Sequence, residues 1–122
     1  MFHELLTQKI IGCAIEVHRQ LGPGLLECIY EDAFAIEFGL QGILFQQQVL
    51  LPVTYKGLPI GDYRIDLLVE NTVVVELKST ERHDPLFEAQ LLSYMKLGGY
   101  KVGLLINFNS VILTKGIKRY VL

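Results

Sequence analysis

The segment that most constrains the fold is Val73-Val74-Val75-Glu76-Leu77-Lys78, an apolar run that carries two charged side chains. Its β-branched residues favour a strand, and the apolar density around the charges predicts a central strand with both faces covered. Alternation along a strand turns Glu76 and Lys78 toward the same face. Charged groups are rarely placed in such a strand unless they are paired or coordinated, so this run predicts a functional cluster.

Two helical patterns precede the strands. A first helix is predicted over residues 2–21, and its apolar stripe consists of Leu6, Ile10, Ala14, Val17 and Leu21. The sequence Gly22-Pro23-Gly24 breaks this pattern. A second helix is predicted over residues 26–40, and the apolar residues on one side of it are Ile29, Ala33, Ile36 and Leu40.

The remaining segments predict strands around a third helix. Residues 43–55, 60–70 and 73–78 are rich in β-branched and aromatic side chains and predict three antiparallel strands. Asp84-Pro85 and Gly98-Gly99 are helix start and stop signals that predict a helix over residues 85–97. Residues 102–108 then predict a buried strand reached by a right-handed parallel crossover, and residues 111–121 a last strand at an edge. We expect one α/β domain, residues 1–122, with a mixed β-sheet flanked by helices.

Composition excludes some classes of function. No apolar stretch is long enough to cross a membrane, and the N-terminus does not have the pattern of a signal peptide, so we expect a cytoplasmic protein. The formal net charge of -2 argues against binding nucleic acid by bulk electrostatics, so any such contact is either local or made with the help of a partner. The only basic cluster, Lys115, Lys118 and Arg119, is interpreted as a solvated edge strand rather than a phosphate contact. Cys13 and Cys28 lack metal-site spacing and are expected to be buried thiols.

Asp66 lies on the strand before Glu76, and their hairpin decides whether the two carboxylates meet. A strict two-residue turn at Asn71-Thr72 would place Asp66 opposite Leu77 and send the two carboxylates to opposite faces. A shared site therefore requires an odd-length loop or a β-bulge in this hairpin. If that condition holds, the two acids repel each other unless a cation or a proton lies between them.

Hard oxygen ligands of this kind favour Mg²⁺ or Mn²⁺, which bind through a couple of carboxylates and retain several waters. A lysine beside the metal, here Lys78, can orient an attacking water or stabilise charge on a phosphate oxygen. Glu27 opens the second helix, where the helix dipole favours a carboxylate. Gln90 and Tyr94 are four residues apart and share a face of the third helix. Glu31, one turn after Glu27, is either a further acid of the site or part of a solvated face.

The order of these residues resembles a known family. Gly24-x-x-Glu27-x-x-Tyr30, then Asp66, then Glu76-x-Lys78, then Gln90 and Tyr94, is similar to the GxxExxY family of the PD-(D/E)xK nuclease superfamily. The resemblance extends over nearly the whole chain and implies a restriction-endonuclease-like core. It implies that Asp66, Glu76 and Glu27 hold the metal, that Lys78 assists catalysis, and that Gln90 and Tyr94 support the site.

Two functions follow from these expectations. The first is hydrolysis of phosphodiester bonds in DNA or RNA with Mg²⁺ or Mn²⁺. The alternative is a nuclease-like binding or regulatory module without catalytic activity, which acts in a larger assembly with a protein partner or a second copy of the chain. An intact set of Glu27, Asp66, Glu76 and Lys78 favours the enzyme over this module. A purely structural protein would explain the fold but not the carboxylates and lysine concentrated in an apolar strand pair.

Overall fold

The computed structural model describes residues 2–122. Within them the elements follow the predicted order: α1 (Glu4–Leu21), α2 (Glu27–Gln41), β1 (Phe45–Tyr55), β2 (Leu58–Val69), β3 (Val73–Lys78), α3 (Pro85–Gly98), β4 (Val102–Asn107) and β5 (Ile117–Val121). A short 3₁₀ helix (Leu113–Gly116) replaces the first part of the predicted last strand. No helix in the described part combines the length and the apolar character needed to span a membrane.

The five strands form one sheet in the order β1-β2-β3-β4-β5. Neighbouring strands are antiparallel, except that β3 and β4 run parallel and are connected through α3. β5 lies at an edge, as predicted, because it pairs only with β4 among the described strands. The mixed sheet predicted from the sequence is therefore confirmed.

Helices cover both faces of the sheet. One face packs under α1 and α2, where Ile10, Val17, Phe34 and Phe38 meet alternate residues of β3 and β4. The other face packs under α3 through Leu91 and Met95. This is the α/β class with a restriction-endonuclease-like arrangement that the sequence predicts, and it buries β3 on both sides.

The apolar stripe identified on α2 is not the side that packs on the sheet. Ile36 and Leu40 are 65% and 73% exposed, whereas the aromatic residues Tyr30, Phe34 and Phe38 are fully buried. Both stripes have helical spacing, but aromatic side chains bury more apolar area and so dominate the packing. The expectation for the cysteines is also half wrong, since Cys13 is buried and Cys28 is exposed.

Tyr30 fixes the chain break that begins α2. Its hydroxyl donates to the carbonyl oxygen of Gly22 at 2.6 Å and accepts from the Leu25 amide at 3.1 Å, while its ring stacks on Phe108. Gly24 has a φ of 95°, a left-handed conformation that a side chain would strain. The break therefore holds the N-terminus of α2, and Glu27 with it, beside the end of β3.

Candidate active site at the β2–β3 fork

The β2–β3 hairpin meets the condition set by the sequence. Val69 pairs with Val73, so three residues, 70–72, form the loop and the register is odd. Glu70 and Asn71 have φ values of 51° and 56°, and the Thr72 amide donates to the Val69 carbonyl at 3.0 Å. The tight turn is therefore centred one residue earlier than the Asn71-Thr72 break suggests. This shift places Asp66 opposite Glu76.

At Asp66 and Glu76, hydrogen bonds from backbone to side chain replace the backbone hydrogen bonds between β2 and β3. Regular pairing of β2 with β3 ends at Leu67 and Val75. Beyond it, the Asp66 amide donates to Glu76 Oε1 at 3.2 Å, and the Leu77 amide donates to Asp66 Oδ2 at 2.8 Å. The two strands thus separate around a pair of acids, and each acid is held by a backbone donor of the facing strand.

Glu76 is a buried carboxyl group, 7% exposed, in the strand covered on both faces. Burial, and then the charge of Asp66, raise its pKa to about 9, although Lys78 opposes this shift. Two carboxylates in this position repel each other and lose hydration, so the ionised form of Glu76 needs a cation. In its absence, Glu76 retains a proton at neutral pH.

Lys78 extends toward α3 from the end of β3. Its Nζ lies 4.5 Å from the ring centroid of Phe87, a cation–π contact that restrains the ammonium group. It shares a face with Glu76, since Val74, two residues before Glu76, also packs on the α3 side. The parallel partner of Lys78 is Asn107 on β4. The structure therefore brings Asp66, Glu76 and Lys78 to one end of the central strands.

Gln90 and Tyr94 lie beside this cluster on α3. Both line a small cavity of about 140 Å³ together with Tyr63 of β2, whose ring centroid is 5.1 Å from that of Tyr94. Burial, and then the negative charge of Glu76, raise the pKa of Tyr94. The Tyr94 hydroxyl is therefore neutral at neutral pH, and it lies close enough to the acids for their charges to raise its pKa.

Glu27 is not brought into contact with the two acids. Its side chain is exposed and lines a separate cavity of about 650 Å³ with Ser79, Glu81 and Asn109. Across residues 2–122, no three histidine, cysteine or acidic side chains converge as a metal cluster. The predicted convergence of Glu27 with Asp66 and Glu76 is thus not seen, although Ser79 Oγ donates to the Leu25 carbonyl and holds the two segments together.

Gln48, which the sequence did not single out, contacts Asp66 and links it to Glu31, whose role the sequence left open. Gln48 of β1 donates from Nε2 to Asp66 Oδ1 at 3.4 Å and to Glu31 Oε1 of α2 at 2.6 Å. Gln47 also donates to Glu31, at 2.9 Å. No sequence pattern marks Gln48, because an exposed glutamine in a strand is ordinary until its contacts are known.

Two of the three residues in the basic cluster near the C-terminus, Lys118 and Arg119, lie on the edge strand β5, as expected. Lys118 Nζ contacts Glu88 Oε1 at 3.0 Å, and His83 Nε2 contacts the same oxygen at 2.6 Å. Hydrogen bonds from Lys118, Tyr120 and His83 lower the pKa of Glu88 to about 2. Lys118 is therefore neutralised by α3 rather than free for a phosphate.

The donor set is compatible with a hard divalent ion. Mg²⁺ typically binds one or two carboxylates and completes its octahedron with water or phosphate oxygens, so a pair of acids such as Asp66 and Glu76 matches the number of protein ligands that it takes. Their mutual repulsion is relieved when a cation binds between them. The Lys78 ammonium, held over the Phe87 ring, supplies a positive charge that opposes the rise in the pKa of Glu76.

Comparison with known proteins agrees with this arrangement. The family model PDDEXK_3, described as the PD-(D/E)XK nuclease superfamily, matches residues 4–120. No curated protein and no solved structure matches the chain. The match extends over nearly the whole described chain and confirms the superfamily resemblance of the sequence motifs.

Proposed function

Because this chain belongs to the PD-(D/E)XK nuclease superfamily, we propose that it hydrolyses phosphodiester bonds in DNA or RNA with the aid of a divalent metal ion. The superfamily generally uses divalent metals, and its nuclease-like domain suggests contact with nucleic acid. The observation that carries the proposal is the odd register of the hairpin, which sets Asp66 opposite Glu76 in a strand otherwise buried and apolar.

The finer assignments belong to the same proposal. We assign Mg²⁺ or Mn²⁺ to Asp66 and Glu76, with Glu27 as the acid that the family resemblance adds from α2. The GxxExxY branch is supported by the spacing of Gly24, Glu27 and Tyr30. We also propose that the protein is cytoplasmic and that residues 1–122 form a single domain.

Each residue has a distinct role in the proposed reaction. A bound divalent ion would polarise the scissile phosphate and lower the pKa of a water molecule. Glu76 must release its proton before it can bind a cation, because its carboxyl group is neutral at neutral pH without one. Lys78, restrained by the Phe87 ring, orients the attacking water or neutralises charge that develops on a phosphate oxygen.

Gln90 and Tyr94 act at the side of the site. Both project from α3 into the cavity shared with Tyr63. A neutral tyrosine hydroxyl and a carboxamide can donate hydrogen bonds to phosphate or sugar oxygens without adding negative charge beside the acids. Since the whole chain has a net charge of -2, we expect nucleic acid to be held by these local contacts and by the metal.

A cleavage assay tests the proposal. The chain is incubated with single-stranded and double-stranded DNA and with RNA, in Mg²⁺, in Mn²⁺ and in EDTA. We expect metal-dependent cleavage of at least one substrate, its loss in Glu76→Ala, and its retention in Glu4→Ala, a change of an exposed glutamate on α1. Binding of nucleic acid or of a protein partner with no metal-dependent cleavage would instead support the non-catalytic module.

A further inference from the structure

Gln48 lies in a strained backbone conformation in the middle of β1. Its φ is 52°, in the left-handed region, although it is neither a glycine nor part of a turn. The pairs Gln47 with Leu67 and Val49 with Ile65 flank it, while Gln48 and Asp66, which face each other, are not paired. A left-handed residue other than glycine costs about 1–2 kcal/mol, so other contacts of Gln48 must offset this strain.

The consequence of the left-handed residue is that two consecutive side chains reach the same acid. Side chains of adjacent strand residues normally point to opposite faces. Here Gln47 and Gln48 both donate to Glu31 on α2, at 2.9 Å and 2.6 Å. The strand β2 is rotated at the same level, since Ile65 packs on the α3 side whereas Leu67 packs under α1 and α2.

The amide of Gln48 therefore lies between two carboxylates of different elements. Its Nε2 is 2.6 Å from Glu31 Oε1 and 3.4 Å from Asp66 Oδ1. Carboxylates only accept hydrogen bonds, so the amide must present its NH₂ group to both. The partial positive charge of these N–H groups occupies the position where a cation would reduce the repulsion between the acids.

The geometry is favourable for a cation to replace this amide. Asp66 Oδ2 is held by the Leu77 amide, which leaves Oδ1 to face Gln48. Gln48 is exposed, so its carboxamide can rotate into solvent without disturbing the core. Rotation would also allow its amide oxygen to face the ion.

We propose that Gln48 is a positioning residue whose amide holds, in the metal-free protein, the place of a divalent cation between Glu31 and Asp66. Glu31, the α2 acid that Gln48 links to Asp66, thereby joins Asp66 in the metal site, and the amide of Gln48 moves aside when the ion binds. This inference rests on the proposed metal-dependent function and adds to its site a second acid of α2, Glu31, through the contacts of Gln48.

Replacement of Gln48 by lysine tests the inference without an activity assay. Gln48→Lys places a permanent ammonium near both carboxylates, so the metal-free protein should melt a few degrees higher than the parent. The same ammonium should compete with the ion, so the affinity for Mn²⁺, measured by calorimetry, should fall at least tenfold. Gln46→Lys, at an exposed position two residues earlier, makes the same change in net charge and should show neither effect.

A second pair of variants tests Glu31 in case the lysine variant does not fold. Glu31→Gln should weaken Mn²⁺ binding about 10-fold to 100-fold, whereas Asp32→Asn, at the exposed neighbouring residue, should leave it unchanged. Mn²⁺ affinity equal to that of the parent in both Gln48→Lys and Glu31→Gln would overturn the inference. If Asp66→Ala alone abolishes binding, the proposed metal site stands and only this extension fails. No binding of Mn²⁺ by the parent would overturn both.

Discussion

Glu76 is a group that the fold keeps neutral when no metal is bound. Burial and the charge of Asp66 raise its pKa from 4.5 to about 9. A carboxyl group with a higher pKa in the folded state binds more protons there, so stability falls as pH rises through this interval. Glu76→Gln keeps a neutral acceptor for the Asp66 amide and removes the titration. In EDTA at pH 8 we expect this variant to be about 1–3 kcal/mol more stable than the parent.

Denaturant unfolding between pH 4 and pH 9 measures this difference. The advantage of Glu76→Gln should be absent near pH 4 and grow as pH rises. Glu81→Gln, a change of an exposed glutamate beyond the end of β3, should give no such trend. A variant that is less stable than the parent at pH 8 would show that the charge of Glu76 is accommodated without a cation.

Replacement of Lys78 should separate catalysis from metal binding. Its ammonium cannot ligate a cation, but it can act on a water or a phosphate. Lys78→Met keeps much of the apolar stem beside Phe87, so the protein should fold and bind metal at least as tightly. Single-turnover cleavage should fall by roughly two orders of magnitude or more. Lys96→Met, at an exposed lysine of α3, is the control, and cleavage by Lys78→Met at the parental rate would remove Lys78 from the mechanism.

The sequence contains different amounts of information about these residues. Asp66, Glu76 and Lys78 could be identified because charged side chains in apolar strands are conspicuous. Gln48 could not, since its importance depends on a φ value and on two contacts with carboxylates distant in sequence. The placement of Glu27 could not be predicted either, because it depends on how the Gly22–Gly24 break directs α2.

At the scale of elements, the β2–β3 hairpin shows how tertiary packing overrides local preference. Asn71-Thr72 is a reasonable turn by composition, yet the chain turns at Glu70 and Asn71. A glutamate is unfavourable at positive φ. The alternative register would exchange the two faces of a strand that is buried on both sides. The sequence indicates that a shared site requires a loop of odd length. Whether that loop forms is decided by the packing of both faces of β3.

One carboxylate of α3, that of Glu88, links this helix to β5 by polar contacts. Glu88 accepts from Lys118, Tyr120 and His83, which lower its pKa to about 2. A carboxylate with a lowered pKa stabilises the fold above its unfolded pKa, and this contribution disappears as pH falls from about 4.5 toward 2. We expect Glu88→Gln to lower the melting temperature by a few degrees at pH 7, and the difference from the parent to vanish toward pH 2.

Melting curves recorded from pH 2 to pH 7 at low ionic strength test the role of Glu88. High salt should shrink the difference, because the Glu88 side chain is partly exposed and its ion pairs are screened. The result would contradict the account if the two proteins differed equally at pH 2 and pH 7. That outcome would indicate a packing change rather than a lost charge.

For the whole molecule, the two helical layers place the site at one end of the central strands. β3 carries Glu76 and Lys78 between the α1–α2 layer and α3, and β2 brings Asp66 beside them. The order of helices and strands could be predicted because each segment has a clear apolar period and clear breaks. The side of α2 that packs inward could not, because this helix has apolar residues on both sides and only the sheet selects between them.

The central claim is that Asp66 and Glu76 form a divalent-metal site in the folded chain. Thermal melting during Mg²⁺ and Mn²⁺ titration tests it directly, because an ion that binds only the folded state raises stability by about 2.7 kcal/mol at 100 times its Kd. The parent and Asp62→Ala, at an exposed aspartate of the same strand, should show a saturable rise in melting temperature. Asp66→Ala should fold and show none. Equal rises in the parent and in Asp66→Ala, or no rise in the parent, would contradict the account.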